Sequence, residues 1–145
     1  MQLISENKGN YKMRIMIDSN VIYSAFFFPD KKISNMVKHI KKHHEIVLCK
    51  YIINETCDVV SRDANQNVSS VKTFMESIAD EVFQIGSYDP NHYPKINDPK
   101  DTEILVCAIE SEVDILITGD TDFDVVNNIE RPRILKPKQY MSEFM

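Results

Sequence analysis

A chain of 145 residues, with 43% hydrophobic and 27% charged side chains, fits one domain and leaves no material for a second independent core. No apolar run approaches the ~20 residues of a membrane-spanning helix, and the opening "MQLISENKGNYK" lacks the apolar stretch of a secretory signal, so a cytoplasmic protein with no membrane partner is expected. The net charge of −5 speaks against wholesale wrapping of nucleic acid, although bases cluster in "DKKIS", "KHIKKHH" and "RPRILKPK" and leave room for a local basic path. Cys49, Cys57 and Cys107 are odd in number and share no short metal-ligand spacing, so buried thiols are expected, not a disulfide framework or a zinc knuckle.

Residues 1–12 read as an N-terminal extension or a misassigned start, because Met13 directly precedes the first strand, "RIMI" (14–17). The chain turns helical near "NVIYSAFFF" and breaks at Pro29-Asp30. In "KISNMVKHIKKHH" the residues Ile33, Met36, Val37 and Ile40 follow i, i+3, i+4, i+7, the mark of an amphipathic helix. "IVLCKY" (46–51) reads as the second strand, with a helix from about Ile53 to Arg62 and another marked by Val68, Val71, Met75 and Ile78. "VFQIG" is the expected third strand, "DPKDTEILVCAIES" a helix, "DILIT" the fourth strand, and "RILK" a fifth before a short C-terminal helix. This alternation predicts an α/β domain with a mostly parallel sheet covered on both faces, and in such folds ligands gather at the carboxyl ends of the strands.

Acids fall at those ends. Asp18 directly follows "RIMI" and Asp120 comes two residues after "ILIT", so the two are neighbours if strands one and four are adjacent. Glu55 is expected in the first turn of its helix, on the face of Ile52 and Val59, and Asp101 between Ile104 and Leu105 above Ala108. A charge on such apolar faces is costly unless it is paired or bound to a metal. Each acid also has a plainer reading. Asp98 before Pro99 suits a helix N-cap, Asp101 the reciprocal acid of a capping box, and Asp18 and Asp120 further caps, whereas no capping geometry asks for Glu55. Taken together, Asp18, Glu55, Asp101 and Asp120 favour a shared site. Asp122 is a further ligand or supports one, Asp124 reads as a solvated acid favoured by the helix dipole, and His39 and His43 read as part of an exposed basic face with no third ligand in reach.

Oxygen-only ligands select hard cations, Mg²⁺ or Mn²⁺. Four carboxylates can balance two such ions, and a pair ~3.5–4 Å apart would activate water and stabilise the leaving oxygen of a phosphodiester, leaving a 5′-phosphate. Alternatives on similar sheets fit less well. A haloacid-dehalogenase phosphatase wants Asp-x-Asp after strand one, where this chain has "DSN". A response-regulator receiver wants an Asp ending strand three, which here ends "QIGSY", and dinucleotide binding wants a G-x-G-x-x-G that is missing.

The segments "MIDSNVIYSAFF", "INETCDVV", "NDPKDTEILVCAIESEVDILITGDTDF" and "ILKPKQYMSEF" resemble the successive motifs of the PIN-domain family, from residue 13 to the C-terminus, and within it look like the VapC-like toxin components of bacterial toxin-antitoxin pairs. The resemblance implies a three-layer α/β/α fold with a five-stranded sheet over residues 13–145, and Mg²⁺- or Mn²⁺-dependent ribonuclease activity. It carries the acidic quartet onto Asp18, Glu55, Asp101 and Asp120, with Asp122 as an extra acid and Asn20 and Thr118 as polar residues that hold the site. RNA is the implied substrate and an antitoxin the implied protein partner, with a homodimer left open. Lys41 and Lys42, in the cluster "KHIKKHH", are the bases expected to bind RNA phosphates. The rival readings are a non-catalytic RNA- or protein-binding module, an RNA-processing nuclease outside toxin-antitoxin pairs and, more distantly, a phosphomonoesterase.

Overall fold

The computed structural model describes residues 11–28, 31–63 and 67–145, so most of the expected N-terminal extension and the expected break at Pro29-Asp30 lie outside the described residues. Five strands form one sheet: β1 (Arg14–Ile17), β2 (Glu45–Cys49), β3 (Glu81–Phe83), β4 (Ile115–Ile117) and β5 (Arg133–Leu135). Their order is β3-β2-β1-β4-β5 and every pairing is parallel. The three inner strands are apolar without alternation, as a sheet covered on both faces requires, and Ile15, Met16, Ile46, Val47, Leu48, Leu116 and Ile117 are buried.

The helices are α1 (Ser19–Phe27), α2 (Lys31–His43), α3 (Lys50–Arg62), α4 (Val68–Ile78), α5 (Pro99–Glu110) and α6 (Pro137–Phe144), with short 3₁₀ turns at Pro90–His92 and Thr121–Val126. They complete a three-layer α/β/α arrangement. In α2 the predicted stripe is the buried one: Met36, Val37 and Ile40 face the core. Phe26 and Phe74, with ring centroids 5.3 Å apart, join α1 to α4.

Three expectations shift. The second strand stops at Cys49, and Lys50 and Tyr51 already belong to α3, because the extended backbone of Cys49 is itself the N-cap. Glu55 therefore sits in the second turn of α3, not the first, and the buried stripe is Ile52, Ile53, Thr56 and Val60 with Glu55 half-buried at its border. The third strand ends at Phe83, short of "QIG", since its partner β2 ends where Cys49 pairs with Phe83. Cys49 and Cys107 are buried thiols as expected, but Cys57 is only half-buried.

His39 also departs from the exposed basic face assigned to it. It is half-buried, and its Nδ1 lies 3.0 Å from the hydroxyl of the fully buried Tyr140 on α6. Burial, reinforced by His43 and Lys42, pushes the His39 pKa down, while burial pushes the Tyr140 phenol up to about 12. One hydrogen bond between a neutral imidazole and a neutral phenol thus ties α2 to α6. Tyr140→Phe should lower stability by about 1 kcal/mol, the usual worth of one hydrogen bond, and Tyr140→Ala by about 3–5 kcal/mol through cavity formation. Urea denaturation midpoints of the two variants measure both.

Candidate metal centre

Strand order reverses between β1 and β4, which places a crevice at their carboxyl ends. The two strands are adjacent, with Ile17 paired to Ile117, and the ladder continues one step further as the Asp18 amide donates to the Ile117 carbonyl at 2.9 Å. This adjacency puts Asp18 beside the segment that holds Thr118 and Asp120. Thr118 is buried and uses its hydroxyl twice: it donates to Asp18 Oδ2 at 2.6 Å and accepts the Asp120 amide at 3.0 Å. Asn20 Oδ1 accepts the Gly119 amide at 3.2 Å and pins the same loop from α1.

Three of the acids do cap helices. Asp18 Oδ1 accepts the Ser19 amide at 2.7 Å, Asp98 accepts that of Lys100 at 2.9 Å, and Asp120 that of Asp122 at 2.8 Å. Asp101 behaves otherwise. It is 5% exposed, and its Oδ2 is the buried side-chain oxygen without a hydrogen-bond partner among the described residues. Capping at that helix falls to Asp98, and the capping-box reading of Asp101 has no bond to stand on.

Glu55 joins through Ser19, whose hydroxyl donates to Glu55 Oε1 at 2.9 Å and lies 3.5 Å from Asp18 Oδ1. Asp98, Asp101 and Asp122 each bring an oxygen within 4.8 Å of the other two, so a single ion could meet all three. Among the described residues these acids form the group arranged to hold a metal. Asp98, read from sequence as a cap alone, thus enters the cluster. The i, i+3 spacing that puts Asp98 and Asp101 on one helix face was the available signal. Ser19 was also overlooked as a bridge, since a serine after a capping aspartate needs no partner to be explained.

Lys41 and Lys42 stand apart from this group. They occupy the last turn of α2, which leads into the amino end of β2, so they lie at the opposite edge of the sheet from the acids. Lys41 Nζ is taken by Asp80 at 2.8 Å, just before β3. Asp124, as expected, is exposed.

The electrostatics follow from the crowding. Burial, joined by the charges of Asp120, Asp98, Asp18 and Asp122, pushes the Asp101 carboxyl up to about 7. Burial also raises Asp18, against the hydrogen bonds from Thr118 and the Ser19 amide, with Glu55 and Asp120 adding to the rise. A buried oxygen with no donor, ringed by like charges, is a costly arrangement that a bound cation would relieve. The donor set, all oxygen, fits a hard divalent ion.

A family model described as "PIN domain" matches residues 14–122. Two solved structures share the fold. One is the VapBC2 complex of Rickettsia felis bound to a DNA fragment from its promoter, with a TM-score of 0.66 and 18% identity over 86% of this chain and 98% of the matched chain. The other is VapBC-1 of nontypeable Haemophilus influenzae, with a TM-score of 0.58 and 16% identity over 87% of this chain and 99% of the matched one. Among curated proteins there is no match.

The raised Asp101 value has a direct consequence for stability. Between its ordinary 3.8 and about 7, the folded protein holds a proton that the unfolded chain has released. Stability without metal should therefore fall as pH rises through that window. Asp101→Asn removes the Asp101 share of this dependence and leaves that of Asp18: the variant should be about 1–3 kcal/mol more stable than wild type at pH 8, with the two converging below about pH 4. Chemical denaturation in EDTA across that pH range reads the difference.

Proposed function

The chain belongs to the PIN-domain family, and on that premise we propose that it is a Mg²⁺- or Mn²⁺-dependent ribonuclease, cytoplasmic, and the toxin component of a toxin-antitoxin pair. The observation that carries this reading is Asp101, a buried carboxylate with an unpartnered Oδ2, which also brings an oxygen within 4.8 Å of two further acids. Asp98, Asp101 and Asp122 would hold one ion, and Asp18, Glu55 and Asp120, linked through Ser19 and Thr118, would complete the binding edge for it or for a second. When bound, such an ion supplies Lewis-acid activation of water and charge neutralisation at the phosphodiester.

The protein's own residues do the rest. Thr118 and Ser19 hold Asp18 and Glu55 in fixed orientations, so their carboxylates need no reorganisation when substrate arrives. Asp101 holds its proton up to about pH 7 and would have to release it to ligate a cation, so cation affinity should rise with pH through about 7. Hydrolysis forms a bond from a water oxygen to phosphorus, breaks the bond to the 3′-oxygen and leaves a 5′-phosphate.

The antitoxin part of the reading is supported by the likeness to the two VapBC structures and by an apolar groove of about 340 Å³. Ala25, Val37, Phe74 and Ile78 line it and Lys38, Lys41 and Lys42 rim it, which suits an amphipathic segment carrying acids. In this reading Lys41 and Lys42 serve the groove and take no part in cleavage. Among the described residues no helix is long and apolar enough to cross a membrane.

Asp18→Asn and Asp101→Asn should each abolish Mn²⁺-dependent cleavage of single-stranded RNA. Asp101→Asn should in addition shrink the rise in Tm that Mn²⁺ gives by mass action. Gel assays of fragment release and thermal melts with EDTA or Mn²⁺ test this. Cleavage retained by either variant, or an equal Mn²⁺ shift in wild type and Asp101→Asn, would falsify the assignment, and RNA bound but never cut by wild type would make the domain a binding module.

A further inference from the structure

A second concavity opens beside the acids. It is a cleft of about 310 Å³ between the carboxyl ends of β4 and β5, and Thr118 and Asp120 form one wall of it. Phe123, Ile134 and Leu135 supply its apolar lining, and Asp124, Asn127, Lys136 and Gln139 its polar one. Its volume lies near the lower end of the range for small-ligand sites, roughly 300–1,000 Å³. That is room for one nucleoside and too little for a duplex, whose bases face inward.

The bases of "RPRILKPK" divide by position. Arg133 is held by Glu143 through bonds of 2.8 Å, and Arg131 donates to the Glu112 carbonyl at 2.7 Å. Lys136 lies on the cleft with its Nζ 3.7 Å from Asp124 Oδ1, beyond hydrogen-bond length, so its ammonium can turn to an arriving phosphate. It is the cation among the residues that line this cleft together with Asp120.

Gln139 has a defined polarity. Its Oε1 accepts the Lys136 amide at 2.8 Å, which only an oxygen can do, so its Nε2 is left with two hydrogens to donate. Asn127 adds a second amide on the cleft. Neutral amides over an apolar lining are the means by which proteins read the edge of an unpaired base.

We propose that this cleft is the subsite for an unpaired nucleoside next to the scissile phosphate, with Lys136 binding the flanking phosphate and Gln139 donating to the base edge. The subsite makes the substrate single-stranded and the cleavage base-selective. Adenine meets the Gln139 donors only through ring nitrogens, of which N1 and N7 stand beside its own amino donor, whereas the other three bases offer carbonyl oxygens, so adenine is the base least suited to it. The proposal rests on the nuclease reading, and the two are separable by experiment.

The probes are fluorescein-labelled hexaribonucleotides of A, C, G and U and a twelve-base-pair RNA duplex, cut in Mn²⁺ by wild type, Lys136→Met and Gln139→Glu. Both variants keep the Lys136 amide and an acceptor oxygen at residue 139, so α6 retains its cap, and melts verify that each is folded. Wild type should cut the adenine tract roughly tenfold more slowly than the best of the others and leave the duplex intact. Lys136→Met should raise KM roughly tenfold for all four tracts without changing their ranking. Gln139→Glu should narrow the ranking to within about threefold. A duplex cut as fast as single strands, a ranking unchanged by Gln139→Glu, or a KM unchanged by Lys136→Met overturns the subsite while the nuclease reading stands. Should wild type cut nothing, that reading falls, and fluorescence anisotropy of the same probes decides the cleft. Binding weakened by Lys136→Met sustains it; absent binding, or equal binding by all three proteins, overturns it.

Discussion

The hydroxyl of Thr118 joins the two strands on which the carboxyl edge of the sheet depends. Its one proton goes to Asp18 Oδ2 at 2.6 Å, and its oxygen takes the Asp120 amide at 3.0 Å. A charge-assisted bond of this length in a buried place is stronger than an ordinary hydrogen bond, and it offsets part of the cost of burying Asp18. Without the pairing of β1 with β4 the hydroxyl would have nothing to meet. The register Ile17 to Ile117 thus decides where the acids sit, and with them what the edge can bind.

Capping a helix and standing in the acidic cluster are not rival roles. Asp18 gives one oxygen to the Ser19 amide and the other to Thr118, and Asp98 caps α5 while standing within 4.8 Å of Asp101 and Asp122. A carboxylate has two oxygens and about four lone-pair directions, so one group can begin a helix and still face a crevice. Parallel strands bring helix starts to one edge, and the same acids that begin the helices accumulate there. Asp101 is the exception that separates the two roles, because its Oδ2 has no cap to make.

The two edges of the sheet differ in how their charges are settled. At the amino edge Arg14 meets Glu45 at 3.0 Å and Glu81 at 2.9 Å, and Lys41 meets Asp80 at 2.8 Å. These partly exposed pairs add little stability each; they settle the charges of Arg14 and Lys41, while Lys38 and Lys42 remain on the rim of the apolar groove. At the carboxyl edge acids face acids, and Lys136 meets Asp124 only at 3.7 Å. The fold therefore concentrates its crowded acids at the carboxyl edge.

Much of this was written in the sequence. The 3.6-residue stripe Ile33, Met36, Val37, Ile40 and the unbroken apolar strands named the helices and the parallel sheet, because periodicity reports burial directly. Asp18, Asp101 and Asp120 could be placed at strand ends and on helix faces by counting alone. The counting failed where neighbours decide the outcome. Glu55 moved to the border of its stripe because α3 begins at Lys50, and β3 was cut short by the end of β2. His39 was held half-buried by Tyr140, 101 residues away, and Lys41 and Lys42 lie at the far edge because α2 ends where β2 begins. Local pattern sets which groups are buried or turned; which groups meet is set by strand order and register, and those depend on contacts between residues far apart in the chain, such as Thr118 and Asp18.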